Sequence, residues 1–335
     1  MRLSKLFERV VSAIPVAIGV AVLAFMFLRF LPGDPVEIML GDTAVTQQQI
    51  DTLRSQLHLD KPLLEQLWLF FVSLFQGDLG TSFLRNQPVL KLIAEALPAT
   101  IELTMATIFV AILIALPVGI ISAVRAGSWL DRTVLSGALV GVSMPAFWFG
   151  LLLILLFSVE LKLLPTSGRL TATLAVDSVT GFMLIDTLLA RDLRAFGTAL
   201  KHLILPAVTL GVVFAAVLAR VVRASMIEAM NKEYVTTARS KGLREFTVVV
   251  KHALRNALIP ALTVTGLQFG ELLGGNMIVE TIFAWPGLGR LVVNSIFARD
   301  YVVVQAAVML YAFTYVAANL VVDALYTLLN PRISL

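Results

Sequence analysis

Six stretches of this chain are long, apolar and almost free of charge, and nothing else limits its possible folds as strongly. They are residues 10–30 (charged only at Arg29), 98–124 (only at Glu102), 134–159, 203–219, 259–279 (with Glu271 inside) and 302–322. Crossing about 30 Å of hydrocarbon takes about 20 helical residues, because only a helix or a closed barrel satisfies each backbone polar group internally. With 58% apolar and 14% charged residues in 335, the chain carries more apolar surface than a water-soluble core can hide, so lipid is its solvent. The expectation is an all-α integral membrane protein with six transmembrane helices. Residues 10–30 are too long for a secretory h-region and run into Leu31-Pro-Gly-Asp-Pro35 rather than a small-residue cleavage site, so they read as a retained helix.

Orientation follows from lysine and arginine. One side collects Arg2, Lys5, Arg9, Arg125, Arg132, the segment from Arg220 to Arg255, and Arg332: fourteen basic residues against five acidic ones (Glu8, Asp131, Glu228, Glu233, Glu245). Both termini are therefore expected in the cytoplasm. The outer loops, 32–97 and 160–201, are large and close to neutral. The first holds amphipathic stretches at 47–57 and 63–75, where Leu63, Leu67, Phe70, Phe71 and Leu74 recur at helical spacing. That pattern suits a helix lying on the membrane surface or one face of a docking site. Turns are expected at Gly77-Asp-Leu-Gly-Thr81 and Pro165-Thr-Ser-Gly168. Asp323 and Asn330-Pro331 are expected to end the sixth helix.

The absence of cysteine removes disulfides and thiolate metal sites. Basic residues form no footprint with interleaved aromatics, so nucleic acid is not a partner. The three histidines (His58, His202, His252) lie apart, none opens an H-E-x-x-H motif, and no span holds two carboxylates, which argues against an intramembrane enzyme. A secondary transporter or channel is disfavoured by the lack of a clear repeat.

The segment from Arg220 to Arg255 is too basic to span and too patterned to be disordered. Residues 228–241 contain no Pro or Gly and read as one helix, with Gly242 placed for a left-handed C-terminal cap. Phe246, Val249, Val250, Ala253, Leu254, Ala257 and Leu258 then form an apolar stripe. Two short helices broken at a glycine make a rigid knob, which either touches anionic lipid or passes motion from a soluble partner into the adjoining spans.

These residues carry a resemblance. Glu233-Tyr-Val-Thr-Thr-Ala-Arg-Ser-Lys-Gly-Leu243, followed by His252-Ala-Leu-Arg-Asn-Ala-Leu-Ile-Pro260, resembles the cytoplasmic signature of bacterial ABC-importer permeases. Of the general E-A-A, Gly and I-x-L-P consensus only Ala238, Gly242 and Leu254 match; the departures are those of the peptide-permease branch. Pro32-Gly-Asp-Pro35, Gly77-Asp-Leu-Gly80, Ser143-Met-Pro-Ala-Phe-Trp148, Glu280-Thr-Ile-Phe-Ala-Trp-Pro-Gly-Leu-Gly289 and Asn330-Pro-Arg332 resemble that branch in the same order. Thr180-Gly-Phe-Met-Leu-Ile-Asp-Thr187 is most similar to the B-type permease of dipeptide importers.

The resemblance implies a type I ABC importer (MetI-like) permease fold in the bacterial inner membrane. Residues 1–335 would be a single transmembrane permease domain: N-terminal helix 10–30, outer loop 32–97, and a five-helix core 98–328 with a cytoplasmic coupling segment at 224–258. It implies a second homologous permease, two cytoplasmic ABC ATPases that bind ATP and Mg, and a periplasmic peptide-binding protein. This chain would bind no cofactor or metal, consistent with its lack of a G-x4-G-K-[ST] phosphate loop. Dipeptides, with tripeptides beside them, are the implied cargo, and oligopeptide, glutathione and nickel are the alternatives left open. Coupling to the ATPase would fall on Glu233, Tyr234, Ala238, Arg239, Lys241, Gly242 and Leu243, with small Ala238 and Gly242 letting the knob seat closely. Charge inside a span is costly and usually functional, so Gln268, Glu271 and Asn276 are candidates for a substrate pathway. The alternatives for Glu271 are an interhelical hydrogen bond or a neutral buried carboxyl. Gly270, Gly274 and Gly275 would allow close helix approach. Asp78, Glu280 and Trp285 are candidates for an outer gate or binding-protein contact; a carboxylate at a helix end is the plainer reading of Glu280.

Overall fold

The computed structural model describes residues 3–30, 36, 46–56, 59–82, 84–171 and 173–329. The Pro32–Pro35 and Asn330–Arg332 signatures, His58 and both chain ends lie outside the described residues. Among the described residues the chain is overwhelmingly helical, with one two-stranded antiparallel pairing between Thr81–Ser82 (β1) and Gln87–Pro88 (β2). Helix α1 is Leu3–Phe30, α2 Gln47–Gln56 and α3 Leu63–Phe75. Helix α4 is Val89–Val124, longer than the apolar run alone suggests because Pro98 and Pro117 sit inside it without ending it. Helix α5 is Trp129–Ser143. Helix α6 is Ala146–Leu153 and continues as the π-helical turns Ile154–Glu160. Helix α7 is Met183–Leu189 and α8 Leu193–Met230.

Among the described residues, three helices are long and apolar enough to cross a membrane: Val89–Val124, Leu193–Met230 and Tyr301–Val321. A fourth span arises if Trp129–Gly141 and Ala146–Glu160 count together. These meet at 99°, broken at Met144–Pro145 where Pro145 has no N–H to continue the helical ladder. At 38 residues, α8 is about 57 Å long. The run at 203–219 is therefore only its apolar middle.

Helix α4 packs along α8 through small residues four apart. Thr107, Ala111 and Ala115, buried with Gly119, face buried Gly211, Ala215 and Ala219. A Cβ on Gly119 would stand 2.8 Å from Val222. With side chains this small, the backbones themselves make the contact, which is how helices associate where lipid is as apolar as leucine.

The remaining elements are α9 (Glu233–Ser240), α10 (Glu245–Thr247), a π-helical segment Val248–Ala253, α11 (Leu254–Leu273), α12 (Met277–Ile282), α13 (Leu288–Phe297) and α14 (Tyr301–Leu329). Helix α14 passes through Asp323 to Leu329, so Asp323 does not end it. The fifth apolar run is divided: α11 stops at Leu273, and residues 274–276 turn the chain into α12. Helix α3 packs on α1 through Phe70 and Phe25, ring centroids 5.4 Å apart, and leaves Leu64, Trp68 and Phe75 exposed. The bundle thus has a basic end, with the turn at 125–128 and the segment 220–255, and a loop end, with residues 76–88, 161–192 and 283–287.

Candidate functional site

At the basic end, the helix expected over 228–241 is two helices. Helix α8 runs to Met230, and Lys232 adopts an extended conformation (φ −80°, ψ 149°) before α9 begins at Glu233. Helix α9 then closes in a Schellman cap. The Leu243 N–H bonds to the Ala238 carbonyl and the Gly242 N–H to the Arg239 carbonyl (2.9 Å), with Gly242 at φ +76°. Glycine is needed there for the backbone angle, since a Cβ at 242 would meet nothing within 4 Å.

Val235 and Ala238 point inward, against Val248, Val249, Ala253 and Met226. Ala238, expected to let the knob seat closely on a partner, is 5% exposed and packs within the chain's own core. The apolar stripe also shifts. Val248 is fully buried, while Phe246 is 78% exposed and Val250 40%. The π-helical segment inserts extra backbone per turn and rotates the face that α11 then presents. Tyr234, Leu243 and Phe246 are left as exposed apolar side chains on this element, as are the charged Glu233, Arg239, Lys241 and Arg244. Arg239 holds Glu245 in a forked ion pair (2.6 and 3.1 Å), which keeps the Glu245 carboxyl below its ordinary range. Sequence reasoning did not mark Phe246 as a surface residue; only the register slip reveals it.

At the loop end, Glu280 is 0% exposed and Trp285 1%. Both candidates for an outer gate or binding-protein contact are thus buried within the chain, and Glu280 lies in the first turn of α12. Glu280 is tied in place. Its Oε1 accepts from the Thr100 hydroxyl (3.0 Å) and its Oε2 from the Arg290 N–H (3.1 Å), while the Leu288 N–H bonds to Thr100 Oγ1 (2.8 Å). Leu288 and Arg290 open α13, so α4 and α12 together supply the acceptors that its first turn lacks. The carboxylate leaves no room beside the turn: a Cβ on Gly287 would stand 2.5 Å from Glu280 Oε2 and 2.5 Å from Thr100 Oγ1.

Trp285 donates its indole N–H to the Ala99 carbonyl (2.8 Å), and the Arg169 guanidinium lies over its ring at 5.4 Å. Arg169 also pairs with Glu102 (2.5 Å) and bonds to the Gly181 carbonyl (3.1 Å), and Glu102 accepts the Leu184 N–H (2.8 Å). One turn of α4, Ala99 to Glu102, thereby holds the 283–287 turn and the 168–184 loop. In the first turn of α7, burial pushes Asp186 up, but the Thr180 hydroxyl (2.6 Å) and the Thr180 and Gly181 N–H groups (2.8 and 3.0 Å) outweigh it and hold the carboxyl below its usual range. Asp78 is exposed and accepts the Gly80 N–H (2.8 Å), shaping the turn after α3.

The third group lies on α11 and α14. Gln268 donates to Glu271 at 2.9 Å, and Glu271 is exposed, so this chain alone gives the carboxylate no buried partner. Tyr311 packs on Gly274, Ala318 packs on Gly270, and Tyr311 and Tyr315 present open faces beside Glu271. Asn276 stands apart, in the turn between α11 and α12, where its carbonyl accepts the Glu280 N–H (2.8 Å).

The basic knob, the buried loop end and the exposed strip around the Gln268–Glu271 pair are the three arrangements this helical membrane chain presents. Residues 115–335 match the family described as "Binding-protein-dependent transport system inner membrane component", and residues 2–104 match its N-terminal membrane component model. The chain belongs to this family of ABC-importer permease subunits, which are non-catalytic membrane components. It is 46% identical over 331 residues to the "Di/tripeptide transport system permease protein DppB" of Pseudomonas aeruginosa, covering 99% of this chain and 98% of that one. It is 44% identical over 334 residues to the "Glutathione transport system permease protein GsiC" of Pectobacterium atrosepticum, covering 99% of each. A chain of the MetNI methionine ABC transporter, solved in inward-facing conformations, shares the fold at 19% identity and TM-score 0.50, over 70% of this chain and 96% of that one.

Proposed function

We propose that this chain pairs with a second, homologous permease to form the path by which dipeptides and tripeptides cross the bacterial inner membrane. In this reading six spans place both termini in the cytoplasm, and the basic end faces inward, as its excess of lysine and arginine favours. Two cytoplasmic ABC ATPases carry the ATP and Mg, and a periplasmic binding protein delivers peptide at the loop end. This chain binds no cofactor of its own.

The observation that carries the reading is the face of the knob. Tyr234, Leu243 and Phe246 stand exposed on a capped, internally packed element that cannot collapse to hide them. Exposed apolar side chains among charged ones are the anatomy of a protein–protein contact. Glu233, Arg239, Lys241 and Gly242 belong to the same surface, and α9 is the helix an ATPase would grip. In this reading the exposed strip of Gln268, Glu271, Tyr311 and Tyr315 faces the second permease, with Glu271 available to a peptide ammonium. Peptide cargo is favoured by the name of the Pseudomonas relative, and glutathione, a modified tripeptide, by that of the Pectobacterium relative.

The test is reconstitution of the four-subunit complex in proteoliposomes with its binding protein. Dipeptides and tripeptides should stimulate ATP hydrolysis and uptake, and should compete better than glutathione. Gly242→Asp should abolish both while leaving membrane insertion intact. Normal peptide-stimulated hydrolysis and uptake in Gly242→Asp rejects the coupling role of α9.

A further inference from the structure

One ion pair at the basic end belongs to neither the knob nor the pathway. Asp131, in the first turn of α5, is 2% exposed, and both of its oxygens are used twice. Oδ1 accepts from Ser122 Oγ and from Arg223 Nε (2.6 Å); Oδ2 accepts from the Gly127 N–H (2.8 Å) and from Arg223 Nη2 (2.7 Å). The turn from α4 into α5 is thus wound around one carboxylate, and the guanidinium that completes it comes from α8. Arg223 lies ten residues before Glu233, the first residue of α9.

We propose that the Asp131–Arg223 clamp makes α5 travel with the α8–α9 unit, so that motion received by the knob is delivered to the break at Met144–Pro145. Arg223 and Asp131 are positioning residues in this scheme; they touch neither peptide nor ATPase.

The chemistry favours a clamp over an incidental surface pair. A forked guanidinium–carboxylate pair fixes direction as well as distance, and lysine cannot reproduce it. Asp131 is buried while the Arg223 side chain is 23% exposed, so withdrawing the guanidinium leaves a buried carboxylate without its counter-charge, and the contact is costly to separate from the Asp131 side. Close by, Gly119 of α4 packs directly against Ala219 and Val222 of α8, one turn before Ser122 reaches Asp131. The ends of three helices therefore form one body at this level. Compliance lies further along, where α5 and α6 meet at 99° and Pro145 breaks the ladder. A displaced α8–α9 unit would carry α5 and open or close that angle, changing the position of α6 and its π-helical extension.

This inference rests on the ABC-importer reading, and its test separates the two. The chain has no cysteine, so spin labels go in without background. Labels at exposed Thr236 on α9 and exposed Leu139 on α5 report whether the two elements move together in the reconstituted complex. With Arg223 present, the label separation should be the same with and without ATP. In Arg223→Lys it should change between the two conditions, and peptide transported per ATP should fall about tenfold while ATP hydrolysis continues. Asp131→Asn, which keeps the shape and weakens the fork, should give the same pattern more mildly. A wild-type transport ratio and an ATP-independent separation in Arg223→Lys would overturn the clamp. Absence of any peptide-stimulated hydrolysis in the unmutated complex would instead overturn the importer reading.

Discussion

Thr100 and Glu280 stand 180 positions apart in the chain, yet the Thr100 hydroxyl hydrogen-bonds to the Glu280 carboxylate in a site closed to solvent. The same hydroxyl accepts the Leu288 N–H, so one threonine of α4 fixes both the end of α12 and the start of α13. The signature from Glu280 to Gly289 is therefore a turn built around a buried carboxylate, with glycine required where that carboxylate touches the backbone.

Gly287→Ala should test this arrangement directly. The new methyl group would be driven into Glu280 and Thr100, an overpacking that costs about 1–3 kcal/mol. Thermal unfolding of the purified protein in detergent should show a lowered Tm. Gly197→Ala, where a Cβ meets nothing within 4 Å, should leave the Tm unchanged or slightly raised because alanine suits a helix better.

Phe246→Ser and Ala238→Leu should behave in opposite ways. Phe246 contributes little to this chain's own packing, so serine there should change stability by no more than about 0.5 kcal/mol and yet reduce copurification of the ATPases at least severalfold. Ala238 is buried against the π-helical segment, so leucine should destabilise the knob itself by about 1–3 kcal/mol. Unfolding curves and pull-down from the same preparations would separate the two effects.

Glu271→Gln should lower uptake of peptides with a free ammonium group about fivefold, as expected for loss of roughly 1 kcal/mol of partly solvated attraction. Uptake of N-acetylated peptides should be unaffected. Equal losses for both peptide types would move Glu271 out of the pathway.

Asp186 sets a pH dependence for the loop end. Its carboxyl is held below the ordinary value in the folded state. Its stabilising contribution is therefore complete above the unfolded value near pH 4 and disappears as pH falls through the lower folded value. Asp186→Asn should consequently lower the Tm at pH 7, and the gap from the unmodified protein should narrow as the pH is taken to 3.

Much of this architecture was legible in the sequence because a bilayer demands it. Uninterrupted apolar runs announced α4, α8 and α14, and Gly242 announced the cap of α9. Other features had no local signal. The break at Asn231–Lys232 carries only the weak stop signal of a single Asn at the end of α8, and the π-helical register that exposes Phe246 leaves no mark in a period of 3.6. Glu280 and Trp285 looked like surface residues because their partners, Thr100 and Ala99, lie far away in the sequence. The four-residue spacing of Thr107, Ala111, Ala115 and Gly119 against Gly211, Ala215 and Ala219 was present in the sequence and became meaningful once α4 and α8 were seen side by side.

Helix α8 bears the Asp192 cap at one end and Arg223 near the other, with Pro206 inside an otherwise unbroken run. Over its length of about 57 Å, five degrees of tilt about one terminus sweeps the opposite terminus through about 5 Å. A subtle rotation imposed on one aqueous side of the bilayer thus arrives on the far side as a shift as wide as a peptide backbone.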